Sequence, residues 1–405
     1  MINVASFDHN DCCGCGVCSK ICPKNIISME SDKEGFLYPV IKNISSCINC
    51  GLCVKYCPTQ NRKNAVEINF DAPNYAYHSK SEVCQGSSSG GVAAGLYKFI
   101  LRNNGVVFGV RYSEDFTDAE YVMVESEEQI GCLLGSKYLK ANINNLYETV
   151  QNQVNKDILV LVVGLPCEIA ALRNYLKKDY NNLYLCELIC HGPTSNIVLR
   201  QFVDSIEKKE NGRVVYLNQR AKKPYWKPYF LDVKLDNGRE ICVPFTDSDY
   251  EKAFQIMKRP SCNSCAFKDG MSCSDMIIGD FHGANKESAE YNQYGVSICF
   301  PCSAKAKEIL EILKGEDYIV GDAARGRAMG NRALYESIPR LGIRDRYVNL
   351  LLTKGLHAAG SDPLVRFYLK KRKIVNKIRM RLKIHKNKVK IITKVLDERR
   401  KMGGK

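Results

Sequence analysis

The sequence has no apolar run long enough to cross a bilayer. The longest, Ile158 to Val163, falls far short of the roughly twenty residues a spanning helix needs. The N-terminal stretch MINVASFDHNDCC has no basic segment followed by an apolar core, which excludes a secretory signal. Most of the chain also has no excess of charge. The formal net charge is +15, but residues 366–405 hold 17 of the 59 Lys and Arg and only Asp397 and Glu398 of the acids. The preceding 365 residues are therefore neutral. A globally basic nucleic-acid binder is excluded, and no nucleic-acid partner is expected, because the body has no surplus of positive charge to set against phosphates. With 45% hydrophobic and 25% charged residues, the composition excludes disorder for most of the chain. What the sequence has in abundance is cysteine, 20 residues, nine of them between Cys12 and Cys57. The expected location is cytoplasmic, with a peripheral position on the inner face of the membrane as a second placement. A reducing compartment does not keep so many cysteines as disulfides, so metal or redox cofactors account for them better.

The expected fold class is α+β or mixed α/β, in four parts: a two-cluster ferredoxin-like domain at 1–65, a larger body whose two parts span 75–155 and 156–360, and a basic amphipathic tail at 366–405. Thr59 to Asn74 reads as a polar linker. Within the body, Gly105–Val110 and Asp157–Gly164 have the pattern of buried strands. Gly91–Arg102, Cys167–Lys178, Ile197–Lys208 and Ala304–Leu313 have helical spacing. Arg213–Asn218, Tyr229–Leu235 and Glu240–Val243 read as antiparallel strands, the last two joined by an Asp236-Asn237-Gly238 turn.

The front of the chain is an internal repeat, CCGCGVCSKICP and CINCGLCVKYCP, offset by 35 residues from Cys12 to Cys47. Each copy has the C-x2-C-x2-C-x3-C-P spacing of a two-cluster ferredoxin, whose fourth cysteine ligates the other cluster. The spacing therefore predicts one 4Fe-4S cluster on Cys12, Cys15, Cys18 and Cys57, and a second on Cys47, Cys50, Cys53 and Cys22. Gly14, Gly16 and Gly51 allow the tight loops this wrapping needs. Two zinc knuckles are the alternative use of these cysteines, although they rarely show this run. Cys13 falls outside the spacing and reads as a spectator. Cys84, Cys132, Cys186, Cys242, Cys299 and Cys302 belong to no motif and read as small core residues.

Further motifs follow in order: Ser87-Ser88-Ser89-Gly90-Gly91 opening a helix, Gly135-Ser136-Lys137-Tyr138, Gly164-Leu165-Pro166-Cys167-Glu168, Cys190-His191-Gly192-Pro193, Arg259-x2-Cys262-x2-Cys265, and Asp275 to Phe281. In this order they resemble the family of coenzyme F420 hydrogenase/dehydrogenase beta subunits, over about Tyr75 to Gly283. The resemblance implies FAD and a third 4Fe-4S cluster beside it. It puts Cys167, Cys190, Cys262 and Cys265 in the place of cluster ligands, and Ser88, Ser89, Gly90, Gly91, Ser136, Lys137 and Tyr138 near the flavin. The sequence departs from the family pattern at Leu165 and Glu168, in His191 to Ser195, and at His282. Cys273 adds a thiol after the CxxC pair, so Cys273 or His282 remains a candidate replacement ligand. No catalytic acid or base is identifiable; Glu168 and His191 are only near the motifs.

The implied function is an iron–sulfur flavoprotein oxidoreductase. It would pass electrons between one-electron carriers, such as ferredoxin or another redox protein, and a two-electron hydride partner, coenzyme F420 or NAD(P)H, through FAD. The alternative is an electron-transfer subunit or cluster-bearing scaffold without a substrate site. Ile374, Ile378, Leu382, His385, Val389, Ile392 and Leu396 recur at intervals of three and four opposite a lysine and arginine row. That pattern predicts an amphipathic helix suited to an anionic membrane surface or an acidic partner.

Overall fold

The cluster loops turn where glycine allows it. Gly14, Gly16 and Gly51 take φ of 70°, 73° and 68°, the left-handed region that costs a side chain energy. Gly16 and Gly51 each immediately precede a short helix, Val17–Ile21 and Leu52–Lys55. Between the two loops lies the antiparallel hairpin Ile27–Ser31 with Leu37–Ile41. Cys18, Cys53 and Ile27 form its small core, with Cys22 and Met29 packed against them. The computed structural model describes residues 3–379. The expected tail helix therefore falls largely outside the described residues, from Leu382 through Leu396.

The body is built on an eight-stranded mixed sheet. Its strands are β1 (Asn74–His78), β2 (Val106–Tyr112), β3 (Ala119–Val124), β4 (Val160–Gly164), β5 (Leu183–Leu188), β6 (Met276–Asp280), β7 (Ser297–Pro301) and β8 (Tyr318–Asp322). They lie in the order β8-β1-β7-β6-β5-β4-β2-β3. The run β6-β5-β4-β2 is parallel, and the outer pairs are antiparallel. β4 is buried along its whole length, as a central parallel strand covered on both faces should be. Helices α1 (Val92–Arg102), α2 (Pro166–Leu176), α3 (Asn196–Glu210) and α4 (Ala304–Gly315) follow the spacing read from the sequence. The three antiparallel segments form a separate sheet, Val214–Lys222, Tyr229–Leu235 and Glu240–Pro244.

The segment read as a linker is tied to the body. Val66–Glu67 pairs with Met271–Ser272, and Ile68 is buried. Asn174, fully buried on α2, donates to the carbonyls of Tyr56 and Asn61 and accepts from the Lys63 amide. Trp226, in the connection between Val214–Lys222 and Tyr229–Leu235, is buried against Ile68 and Phe281. Among the unassigned cysteines, Cys84, Cys186 and Cys299 are buried and Cys302 is half-buried. Cys132 and Cys242 are exposed, contrary to the core reading. Residues up to Leu341 form one compact unit and Gly342 onward a second. The described part of the second holds helices Arg344–Lys354 and Leu356–Ser361 and a helix over 363–379. Among the described residues no helix is long and apolar enough to cross a membrane.

Candidate redox centres

The N-terminal cysteines line two separate cavities. One, about 170 Å³, is walled by Cys12, Cys15, Cys18 and Cys57 together with Cys13. The other, narrower at about 20 Å³, is walled by Cys22, Cys47, Cys50 and Cys53. Each repeat thus sends its fourth cysteine to the other repeat's cavity. Among the described residues no three His, Cys, Asp or Glu are gathered for a single metal ion.

A third cavity, about 210 Å³, is lined by Cys167, Cys190, Cys262 and Cys265 and also by Cys13. These side chains come from distant segments. Cys167 opens α2 immediately after β4, and Cys190 follows β5. Cys262 lies in the 3-10 turn Pro260–Ser264, which Cys265 closes. Gly192, at φ 76°, would put a Cβ 3.2 Å from that of Cys262, so the Cys190 loop and the CxxC turn approach through a glycine. Burial pushes the Cys262 thiol up to about 12 and that of Cys265 to about 11. Buried thiols of this kind become thiolates when a metal takes the proton's place. Lys140, Arg259 and Lys268 also line the cavity, a cationic wall suited to an anionic cluster. Lys140 Nζ lies 3.4 Å from Cys167 Sγ and 2.7 Å from Glu168 Oε1. Cys273 does not line this cavity. Its amide donates to Glu187 and its thiol faces the Lys63 carbonyl. His282 lines the neighbouring cavity instead.

That fourth cavity, about 430 Å³, is within the range of small-molecule sites. It lies at the C-terminal ends of the parallel strands β4, β5 and β6, where open α/β sheets bind ligands. Ser88, Ser89, Gly91, Ser136, Lys137 and Tyr138 line it. Gly90 does not: a Cβ there would collide with the backbone of β1 and β7, so its role is close packing. Ser88 and Ser136 hydroxyls meet at 2.9 Å, and Ser89 donates to the Val296 carbonyl. The Lys137 ammonium donates to the carbonyls of Cys132 and Leu134, and burial lowers its pKa to about 7. Tyr138 packs on Phe254 with ring centroids 4.4 Å apart.

One corner of the cavity was not legible as a unit in the sequence. Arg220 donates to Asp280 Oδ2 at 2.6 Å, and His282 Nε2 lies 3.6 Å from the same oxygen. Burial favours the neutral acid, yet the Arg220 guanidinium holds the Asp280 carboxyl well below the usual range. The His191 ring lies 6.0 Å from that of His282. Burial, then the His282 ring, lowers the His191 pKa to about 4.

The cavities adjoin. The first and third share Asp11, Cys13, Thr59 and Gln60 as a wall. The third and fourth share Leu165, Cys190, Gly192 and Pro193.

Residues 11–61 match the 4Fe-4S dicluster domain. Residues 158–324 match the C terminus of the coenzyme F420 hydrogenase/dehydrogenase beta subunit. The chain is similar to a coenzyme F420-dependent sulfite reductase of Methanocaldococcus jannaschii, 25% identical over 195 residues, or 46% of this chain and 28% of that protein. It is also similar to one subunit of the F420H2 dehydrogenase of Methanosarcina mazei, 22% identical over 257 residues, 60% of this chain and 69% of that one. The chain thus spans well under half of the sulfite reductase. A chain of the F420-reducing NiFe hydrogenase complex from Methanosarcina barkeri superposes with a TM-score of 0.44 at 16% identity, covering 66% of this chain and 91% of that one. Residues 158–324 thus carry a match to the C terminus of coenzyme F420 hydrogenase/dehydrogenase beta subunits, behind a 4Fe-4S dicluster domain over residues 11–61.

Proposed function

We propose that the chain is an FAD- and iron–sulfur-dependent oxidoreductase. It passes electrons between a one-electron redox protein, such as ferredoxin, and a two-electron hydride partner, coenzyme F420 or NAD(P)H. The carrying observation is the series of adjoining cavities: cysteine-lined at the N-terminal end, cysteine-lined again in the body, then a larger cavity with polar and aromatic walls. The ligands proposed for the third cluster are Cys167, Cys190, Cys262 and Cys265. The flavin cavity is the one lined by Ser88, Ser89, Ser136, Lys137 and Tyr138. A bound flavin supplies the exchange between paired and single electrons that cubane clusters lack.

The chain's own residues bind, screen and hold protons. Ser88 and Ser136 present hydroxyls to a polar end of the cavity, and Tyr138 supplies an aromatic wall. Lys140 and Lys268 offset the charge of four thiolates. Asp280, kept ionised by Arg220, gives His282 Nε2 an acceptor beside the cavity. Burial favours the uncharged His191 ring, which can act as a donor or an acceptor. A cluster scaffold without a substrate site has no need of a cavity of about 430 Å³ next to its last cysteine, which favours the enzyme reading.

Anaerobic purification of the full chain tests the proposal. Three clusters predict about twelve irons per chain, about four per cubane, with bound FAD. Cys262→Ser should remove about four of those irons, and reduced coenzyme F420 or NADPH should bleach the flavin absorbance. Clusters without flavin after reconstitution would overturn the flavoenzyme reading, and an unchanged iron count in Cys262→Ser the ligand set.

A further inference from the structure

The two cluster repeats are alike in sequence but not in surroundings. At the offset of 35 residues, Cys13 corresponds to Ile48, Gly14 to Asn49, Cys15 to Cys50 and Lys20 to Lys55. The first member of each pair is pressed against the body. Cys13 is 9% exposed and lines the third cavity. Arg259 closes on Gly14, with Nη1 2.8 Å from where a Cβ would sit. Tyr147 donates its hydroxyl to the Cys15 carbonyl at 2.6 Å. Lys20 pairs with Glu148 at 3.0 Å and donates to Asn145 Oδ1 at 3.3 Å.

The second repeat leaves the equivalent positions open to solvent. Ile48 is 57% exposed, and Ile44, on the other side of Cys47, is 50% exposed. Asn49, Cys50 and Lys55 are exposed as well. Asn49 keeps a left-handed φ of 53°, yet carries a side chain where the first repeat has room only for glycine. Ile48, Asn49 and Cys50 line the second cavity together with Lys24, which is also exposed, so that cavity reaches the surface here. From Gly35 to Val66 the chain holds Lys42, Lys55, Arg62 and Lys63 and no acid. A single exposed isoleucine is ordinary. Two flanking a cluster cysteine, with exposed lysines around them, make an apolar centre with a charged rim, the composition of a docking patch.

We propose that this face of the second repeat docks an acidic one-electron redox protein, which sets a carboxylate against Lys55 as the body sets Glu148 against Lys20. This rests on the one-electron partner of the reading above. The body itself is the template, since it already covers the matching face of the first repeat. Opposite charge steers the encounter, and apolar contact at Ile44 and Ile48 holds it. In the docked pair one electron leaves the carrier as one enters the second cluster, or the reverse, and no bond is made or broken.

The test is surface plasmon resonance of an acidic two-cluster ferredoxin on the anaerobically purified full chain, with iron counts on every variant. Wild-type affinity should fall as salt rises. Lys55→Glu should weaken binding about tenfold, mainly through slower association, and Ile48→Ser through faster dissociation. Lys208→Glu, exposed on α3, should bind as the wild type does. All variants should keep the wild-type iron count. If Ile48→Ser loses iron, Lys55→Glu decides alone, because Lys55 ends the helix Leu52–Lys55 and lies outside the cluster loop. Unchanged affinity in Lys55→Glu would overturn the docking face. Binding of a basic carrier such as cytochrome c in place of the ferredoxin would overturn the acidic partner. Dimers of the full chain that Ile48→Ser dissociates would make the face an interface between copies and end the proposal. Ferredoxin bound at this face by a chain that holds no flavin would support the docking face and overturn the flavoenzyme reading alone.

Discussion

Glu168 stands where the family pattern has an amide, and its surroundings explain how the charge is tolerated. Its carboxylate is 1% exposed and pairs with Lys140, itself 6% exposed, at 2.7 Å. It also accepts from the Tyr121 hydroxyl at 2.7 Å and the Leu165 amide at 2.9 Å. Burial would lower the Lys140 pKa, but Cys167 and Glu168 hold it well above the ordinary value. Breaking a buried pair from one side leaves an unpaired charge, whereas removing both charges costs less. Lys140→Met should therefore lose about 3–5 kcal/mol in anaerobic chemical denaturation. The double variant Lys140→Met/Glu168→Gln should lose clearly less. Equal losses in the two would mean that the pair is not coupled. The sequence shows the substitution at Glu168 but not its partner, because Lys140 lies 28 residues away in another segment.

At the scale of elements, the polar stretch Thr59 to Asn74 has linker composition and is nonetheless held. A two-residue strand at Val66–Glu67 anchors its middle, and Asn174 on α2 satisfies three backbone groups near its start. Asn174→Leu would leave those groups buried without partners, at about 1–3 kcal/mol for each. We expect that variant to be cut by protease within residues 59–74 under conditions where the wild type survives. Equal resistance would show that the strand pairing suffices alone. Helices α1 to α4 and the antiparallel sheet were readable because their apolar spacing is local. The pairing of Val66–Glu67 was not, since two exposed residues carry no periodic signal.

For the molecule as a whole, charge is concentrated at one end. Ile374 and Ile378 are each 51% exposed on the helix over 363–379, and the remainder of the amphipathic pattern lies beyond the described residues. A basic, half-apolar segment binds anionic lipid by both charge and burial. The full chain should co-sediment with vesicles containing phosphatidylserine, and removal of residues 366–405 should abolish this. Identical sedimentation of the two would end the membrane reading and leave the acidic redox partner.

The sequence by itself determined the N-terminal cluster module. The spacing of eight cysteines along a short chain acts as a ruler, and the two cavities divide them accordingly. The family resemblance named Cys167, Cys190, Cys262 and Cys265, and only the tertiary structure shows that they line one cavity with Cys13 and without Cys273. Cys167 and Cys190 arrive at the ends of neighbouring parallel strands, while the CxxC turn comes from more than 70 residues further along. Their meeting depends on strand order, which no local pattern encodes. The same holds for Cys13. Read along the chain, it is one cysteine too many; in the folded protein it lines both the first and the third cavities.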